Sequence, residues 1–247
     1  MDIIVNKTAA EMGRVAGLKT AELIKRAIKK KGSTNIILAT GTSQFETLKQ
    51  LIIDKDIDWS KVIMFHLDEY IGISDQHPAS FRKYLKERFL AEVKPLAAAH
   101  LINGEGDASK ECERLNKLIS QHPIDVALVG IGENGHLAFN DPPADFNTTV
   151  PYIVVDLDDK CVMQQYGEGW FKTIDEVPRK AISMSIRQIM KSAHIICSVP
   201  DQRKAEAVKN CLELPINNMF PASILRDHNH CDIYLDEASA SLLTVHQ

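Results

Sequence analysis

The segment IDVALVGIGENGHLAFND, residues 124–141, decides how the rest of the chain reads. Its first six residues are mostly apolar and stop at Gly130. A run that short, without polar alternation, suits a strand buried on both faces better than a helix. A turn built on Gly130, Gly132 and Gly135 comes next, with Asn134, His136, Asn140 and Asp141 set into it. Apolar strand, small-residue turn and polar side chains thus come in one unit.

The unit repeats outward along the chain. Asn35–Ala39 is a second buried run, ending in Thr40-Gly41-Thr42-Ser43 before a predicted helix over 44–53. Residues 61–67 form a third strand, closed by Asp68-Glu69-Tyr70. Strands over 194–199 and 231–235 are each followed by a predicted helix, over 202–212 and after Asp236. Further helices are expected over 80–90 and 110–120. The longest helix spans 8–31, with Thr8 and Glu11 as a capping box, Lys29–Lys31 in the last turn and Gly32 as the stop. The lysine run reads as a solvated helix end. Strands alternating with helices make a mostly parallel sheet covered on both faces. No linker, repeat or low-complexity stretch divides it, so residues 1–247 read as a single domain.

Composition sets limits on the function. The 247 residues carry 29 Lys+Arg against 33 Asp+Glu, a formal net charge of −4. That acidic balance argues against nucleic acid as the ligand. The apolar runs, such as Ile36–Ala39 and Val126–Ile131, fall far short of the ~20 residues a membrane-spanning helix needs. Met1–Thr8 holds no apolar core of a signal peptide. The five cysteines (Cys112, Cys161, Cys197, Cys211 and Cys231) are odd in number and widely spaced. Free thiols in a reducing cytoplasm are the expectation. His228-Asn-His-Cys231 matches none of the usual zinc spacings and reads as a polar turn.

Ligands of open parallel sheets bind outside the carboxyl ends of the strands. Residues 40–43, 68–70, 130–141 and 200–204 occupy those ends. Thr40, Gly41, Thr42 and Ser43 can aim backbone N–H groups and hydroxyls at a phosphate beside a helix start. The loop matches neither the P-loop nor the dinucleotide fingerprint. Asp68 can serve as a general base if it is enclosed; the alternative is a turn-capping Asp68 with a solvated Glu69. His136, with Asn134 and Asp141 close in sequence, can both give and take a proton. Lys204, at the start of a helix, can complete an anion site as a point charge.

Taken together these segments resemble the glucosamine-6-phosphate deaminase (isomerase) family. The resemblance rests on Leu-Ala-Thr-Gly-Thr at 38–42, Leu-Asp-Glu-Tyr-Ile-Gly with His-Pro-Ala-Ser-Phe within 67–81, Gly-Ile-Gly-Glu-Asn-Gly-His-Leu-Ala-Phe-Asn-Asp-Pro at 130–142, and Pro-Ala-Ser-Ile-Leu at 221–225. Residues 177–182 and 203–207 extend it over nearly the whole chain. It implies a Rossmann-like three-layer α/β/α sandwich. It also implies conversion of glucosamine 6-phosphate and water to fructose 6-phosphate and ammonia, without cofactor or metal. By that resemblance Asp68 moves the proton between C2 and C1, His136 assists ring opening, and Asn134 and Asp141 orient His136. Thr40, Gly41, Thr42, Gly135 and Lys204 would bind the substrate, with the 6-phosphate on Gly41, Thr42 and Lys204.

The chain departs from the family pattern at named places. Its first loop lacks the usual Pro and second Gly. Asn134 stands where many members carry Asp, and Asp141 where the pattern has Glu. Gly169 replaces an Arg that binds phosphate, which makes Gln164–Trp170 a different wall. Ala144–Thr149 replaces the allosteric segment of regulated members. The long stretch from 141 to 175 is a candidate lid. Galactosamine 6-phosphate is the rival substrate. A 6-phosphogluconolactonase would read Asp-Glu-Arg at the second motif, and a sugar-phosphate sensor would need a helix-turn-helix for which the chain leaves no room. A homo-oligomer is left open.

Overall fold

A computed structural model describes residues 1–244. In chain order the elements are β1 (Asp2–Asn6), α1 (Ala9–Lys31), β2 (Thr34–Leu38), α2 (Phe45–Ile53), β3 (Val62–His66), β4 (Asp68–Tyr70), α3 (Phe81–Leu85), β5 (Ala98–His100), α4 (Ala108–Ile119), β6 (Val126–Val129), β7 (Tyr152–Asp156), α5 (Asp159–Gly167), β8 (Lys180–Met184), α6 (Ile186–Met190), β9 (His194–Val199), α7 (Ala205–Glu213) and β10 (Cys231–Asp236). Seven strands pair in parallel in the order β1-β10-β9-β6-β2-β3-β5. Three more, β4-β8-β7, form a small antiparallel sheet.

Successive residues of the central strands serve opposite faces, as the pleat requires. Ile37, Phe65, Ala127, Ile195 and Ile233 pack with Leu115, Ile119, Val208 and Leu225 on one side. Ile36, Met64, Val126, Ile196 and Tyr234 pack with Met12, Ile24, Leu48 and Phe89 on the other. Both faces are therefore covered, and the three-layer arrangement follows. Helix α1 is capped as its sequence predicts: Thr8 accepts from the Glu11 N–H at 3.2 Å, and Gly32 closes the last turn at φ +83°.

Other expectations need correction. Strand β1 is not among the expected strands, although Ile3-Ile4-Val5 is a short β-branched run, and β5 (Ala98–His100) carries no local signal. Strand β1 is an edge strand with largely exposed side chains, and β5 is three residues long. Strand β7 does carry an apolar run, Tyr152-Ile153-Val154-Val155, which the sequence reading passed over; only Tyr152 of it is fully buried. The strand expected over 61–67 splits at Leu67. Its N–H bonds to Leu38 O of the large sheet, and its carbonyl accepts from Met184 N of the small one. The chain changes sheets there, and Asp68 is the first residue beyond the switch. The helix expected over 80–90 is α3 followed by one wide π turn over 86–90.

No helix follows Asp236 among the described residues; 237–242 are turns. Asp236 accepts from Ser239 N at 2.8 Å and from Asp201 N at 3.2 Å, and Ser239 Oγ bonds back to Asp236 O. Such local side-chain bonds compete with helix propagation. Among the described residues no helix is long and apolar enough to cross a membrane.

Candidate active site

Strand order reverses between β2 and β6: from there the chain winds outward through β3 and β5 on one side and through β9 and β10 on the other. Such a switch point leaves a crevice at the carboxyl ends of the two strands. A cleft of about 580 Å³, open to solvent, lies there. Thr40–Ser43, Asp68, Gly130–Gly132, His136, Gln164, Gln165, Glu168 and Lys204 line it.

One end is built for an anion. Gly41 takes φ +88°, a backbone that favours glycine, and opens the turn that leads into α2. Tyr84 donates its hydroxyl hydrogen to Gly41 O at 3.2 Å and pins the turn. Lys204 sits at the start of α7, 8% exposed. Among the described residues no carboxylate lies within salt-bridge distance of its ammonium. Burial lowers its pKa, while Glu133 and Glu168 act in the opposite sense. Arg203 turns away, held by Asp201 at 2.9 Å and Glu133 at 3.6 Å. Lys204 therefore keeps its donors free for a ligand.

Asp68 stands elsewhere on the same cleft, 7% exposed. Burial, with the adjacent Glu69 charge, pushes its pKa up to about 8. Glu69 points the other way and is fully buried. It accepts from Tyr70 N, Ser80 Oγ, Phe81 N, Arg82 N and Arg82 Nε, at 2.7–3.3 Å. Burial still raises the Glu69 pKa against those donors. Neither the turn cap nor the solvated Glu69 of the alternative reading is found.

His136 completes the wall. Its ring lies on Gly132, where a Cβ would stand 2.2 Å from Nε2. The backbone N–H of His136 donates to Asn134 Oδ1 at 3.0 Å, and the ring Nδ1 lies 3.1 Å from Asp141 Oδ1. Asn134 Nδ2 donates to Asp141 Oδ1 at 3.0 Å and to Asp158 Oδ2 at 3.1 Å. Asp158 N donates to Asp141 Oδ2 at 2.9 Å. Burial alone would raise the Asp141 pKa, but His136, Asn134 and the Asp158 N–H hold it below the usual range. The shorter Asp141 thus reaches His136, and Asn134 braces the carboxylate. Asn134 and Asp141 lie behind His136 and do not line the cleft.

Gly135 does not line it either. It takes φ +83° in the turn, and a Cβ there would face Cys211 and Phe220. The sequence reading placed Ser43 in the phosphate turn but gave Gly132 no role beyond its own turn; both line the cleft. It gave no role to Arg82 either, the buried partner of Glu69.

The family described as glucosamine-6-phosphate isomerases/6-phosphogluconolactonase matches residues 7–234 of this chain. The chain belongs to that family, on its glucosamine-6-phosphate deaminase branch. The glucosamine-6-phosphate deaminase of Oenococcus oeni is 37% identical over 230 residues, 93% of this chain and 94% of that one. The one from Lactococcus lactis subsp. cremoris is 36% identical over 247 residues, 99% and 100% of the two chains. A solved monomeric glucosamine-6-phosphate deaminase superposes with a TM-score of 0.89 at 32% identity, covering 98% of this chain and 100% of its own. The 6-phosphogluconolactonase of Trypanosoma brucei shares the fold at a TM-score of 0.79 with 18% identity, covering 98% of each chain. The deaminase family therefore shares both sequence and fold with this chain, the lactonases the fold alone.

Proposed function

We propose that this cleft converts glucosamine 6-phosphate and water to fructose 6-phosphate and ammonia. The observation that carries the reading is the pairing of an enclosed Asp68 carboxylate with the braced His136–Asp141 pair, on one cleft with an anion seat. The phosphate would rest on the 40–43 turn and Lys204, remote from the reacting carbons. Binding energy gained there can be spent on orienting the other end of the sugar.

His136 would pass a proton to and from the ring oxygen as the pyranose opens. Opening makes the C2–H acidic, since it is then α to a carbonyl. Asp68 would take that proton and return it at C1 while the amino group gives up one proton and O1 gains one, turning the amino aldehyde into a ketimine. Water adds to the ketimine at C2 and ammonia leaves, so the atoms balance. Side chains and water suffice for every step. Gln164 and Glu168 on or beside α5 offer acceptors to the sugar hydroxyls, and we propose the segment 141–175, which carries α5, as the lid.

The test is ammonia release by the purified protein, with glucosamine 6-phosphate and galactosamine 6-phosphate run side by side. Turnover of the gluco sugar, lost in Asp68→Asn, supports the reading. Turnover of the galacto sugar alone would move the specificity, and release from neither would overturn it.

A further inference from the structure

Behind His136 three different donor types converge. A ring nitrogen of His136, an Asp141 oxygen and Cys161 Sγ all lie within 4.8 Å of one another. The side chains of His136 and Asp141 are 10% and 5% exposed, and Cys161 is fully buried. Nδ1 lies 3.1 Å from Asp141 Oδ1, within ion-pair distance, but makes no well-formed hydrogen bond. A buried imidazole nitrogen without a well-formed hydrogen bond, together with a carboxylate and a thiol, is the donor set of a thiophilic divalent cation.

The elements fix this convergence. Cys161 lies in the first turn of α5, whose N-cap is Asp158. Asp158 Oδ1 accepts from Cys161 N at 2.6 Å, and its own N–H holds Asp141. Asn134 bridges Asp141 and Asp158. The three ligands are therefore mounted on one hydrogen-bonded frame. All five cysteines are free and buried. Among the described residues, only Cys161 belongs to such a cluster.

We propose that His136, Asp141 and Cys161 form an inhibitory site for zinc or a similar thiophilic divalent ion. The ion would bind His136 through Nδ1, Asp141 through one oxygen and Cys161 as thiolate, with water in the fourth position. One thiol proton leaves per ion bound, and the imidazole keeps its other proton on Nε2. No electron moves, so no oxidant is needed. With the ion in place His136 can no longer rock against Asp141 while exchanging a proton on the cleft side. Turnover stops although the anion seat remains open.

The test uses the full chain, reduced with a phosphine and stripped of metal, and adds Zn2+ or Co2+ alone. One ion per chain is expected, with a thiolate-to-cobalt charge-transfer band and loss of ammonia release. Cys161→Ser should abolish the band and weaken Zn2+ binding by more than ~10-fold, since even an outer-shell partner is worth roughly 10–100-fold. Thermal melting and metal-free turnover establish that the variant is folded. If it is not, Cys161→Thr serves instead. Equal Zn2+ binding by wild type and variant, or a cobalt spectrum without the thiolate band, would overturn the site. Stoichiometry and spectrum do not depend on the sugar substrate, so they stand or fall apart from the proposed reaction.

Discussion

Asp68 and Glu69 are consecutive, both buried, and treated in opposite ways by the fold. Glu69 collects five donors, whereas no hydrogen bond from a described residue reaches the Asp68 carboxylate. One carboxylate is satisfied and fixed; the other is left to the cleft. The sheet switch at Leu67 produces this difference. The pleat turns neighbouring side chains to opposite faces of β4, one toward α3 and one toward the ligand.

If Asp68 is the base, Asp68→Asn lowers kcat by roughly 10²–10⁴-fold. The free carboxyl is pushed up to about 8 by burial and Glu69. A base must be deprotonated to act, so kcat/KM rises with pH and levels off above that value. A pH profile flat from 6 to 9 would contradict the assignment.

Glu69→Ala removes the acceptor for five donors and leaves Arg82, whose side chain is 7% exposed, with the half-exposed Glu105 as its ionic partner. Breaking a buried pair costs about 3–5 kcal/mol. For a chain of this size that is a fall in Tm of roughly 6–20 °C. Glu69→Gln keeps an acceptor oxygen and should lose less. Thermal melts of the two variants check the order; equal losses would remove the role given to the Arg82 pair.

Lys204→Met keeps much of the buried stem and deletes the charge. Hydrogen bonds to charged groups are worth about 1.5–3 kcal/mol, so KM should rise roughly 10–100-fold with a smaller change in kcat. Inhibition by inorganic phosphate should weaken in parallel. A variant whose KM and phosphate inhibition match the wild type would leave the anion seat elsewhere.

Gly132→Ala places a methyl 2.2 Å from the His136 ring. The ring is buried with Nδ1 3.1 Å from Asp141 Oδ1, and Asn134 holds the His136 backbone N–H, so the ring cannot give way without leaving its working position. A misplacement of about 1 Å can cost about 10²-fold in rate. Gly167→Ala is the control, because nothing lies within 4 Å of its Cβ and its φ is ordinary. Comparable activity in the two variants would show that His136 tolerates displacement.

Much of this site is legible in the sequence because strand ends carry it. Thr40–Ser43, Asp68, His136 and Lys204 each come after an apolar run, and a parallel sheet brings such ends together. Helix α1 is equally open, since Thr8 and Gly32 mark its ends locally. The hidden features depend on contacts distant in sequence. Glu69 looks solvated until Ser80, Phe81 and Arg82 are folded over it. The break at Leu67 needs partners from Leu38 and Met184, which no local pattern announces. The turns after Asp236 depend on Asp201, which lies 35 residues earlier.

The raised Asp68 pKa also sets how stability depends on pH. In the unfolded chain an aspartate titrates near about 3.9. In the fold its pKa is pushed up to about 8. Below about 4 both states hold the proton, and burial of the neutral carboxyl is tolerated. Between there and about 8 the unfolded chain gives up its proton to water while the folded chain keeps it, so the unfolded state gains and stability declines. Above that window both states are ionised and the penalty is constant. An asparagine cannot ionise, so Asp68→Asn escapes the penalty altogether. Its Tm should match the wild type near pH 4, exceed it increasingly up to about pH 8, and keep that lead above, even as activity is lost. Titration of Glu69 occurs in both proteins and largely cancels in the difference. Melts at pH 4, 6 and 9 decide the matter: a Tm difference independent of pH would mean that Asp68 is solvated in the fold and titrates like any surface aspartate.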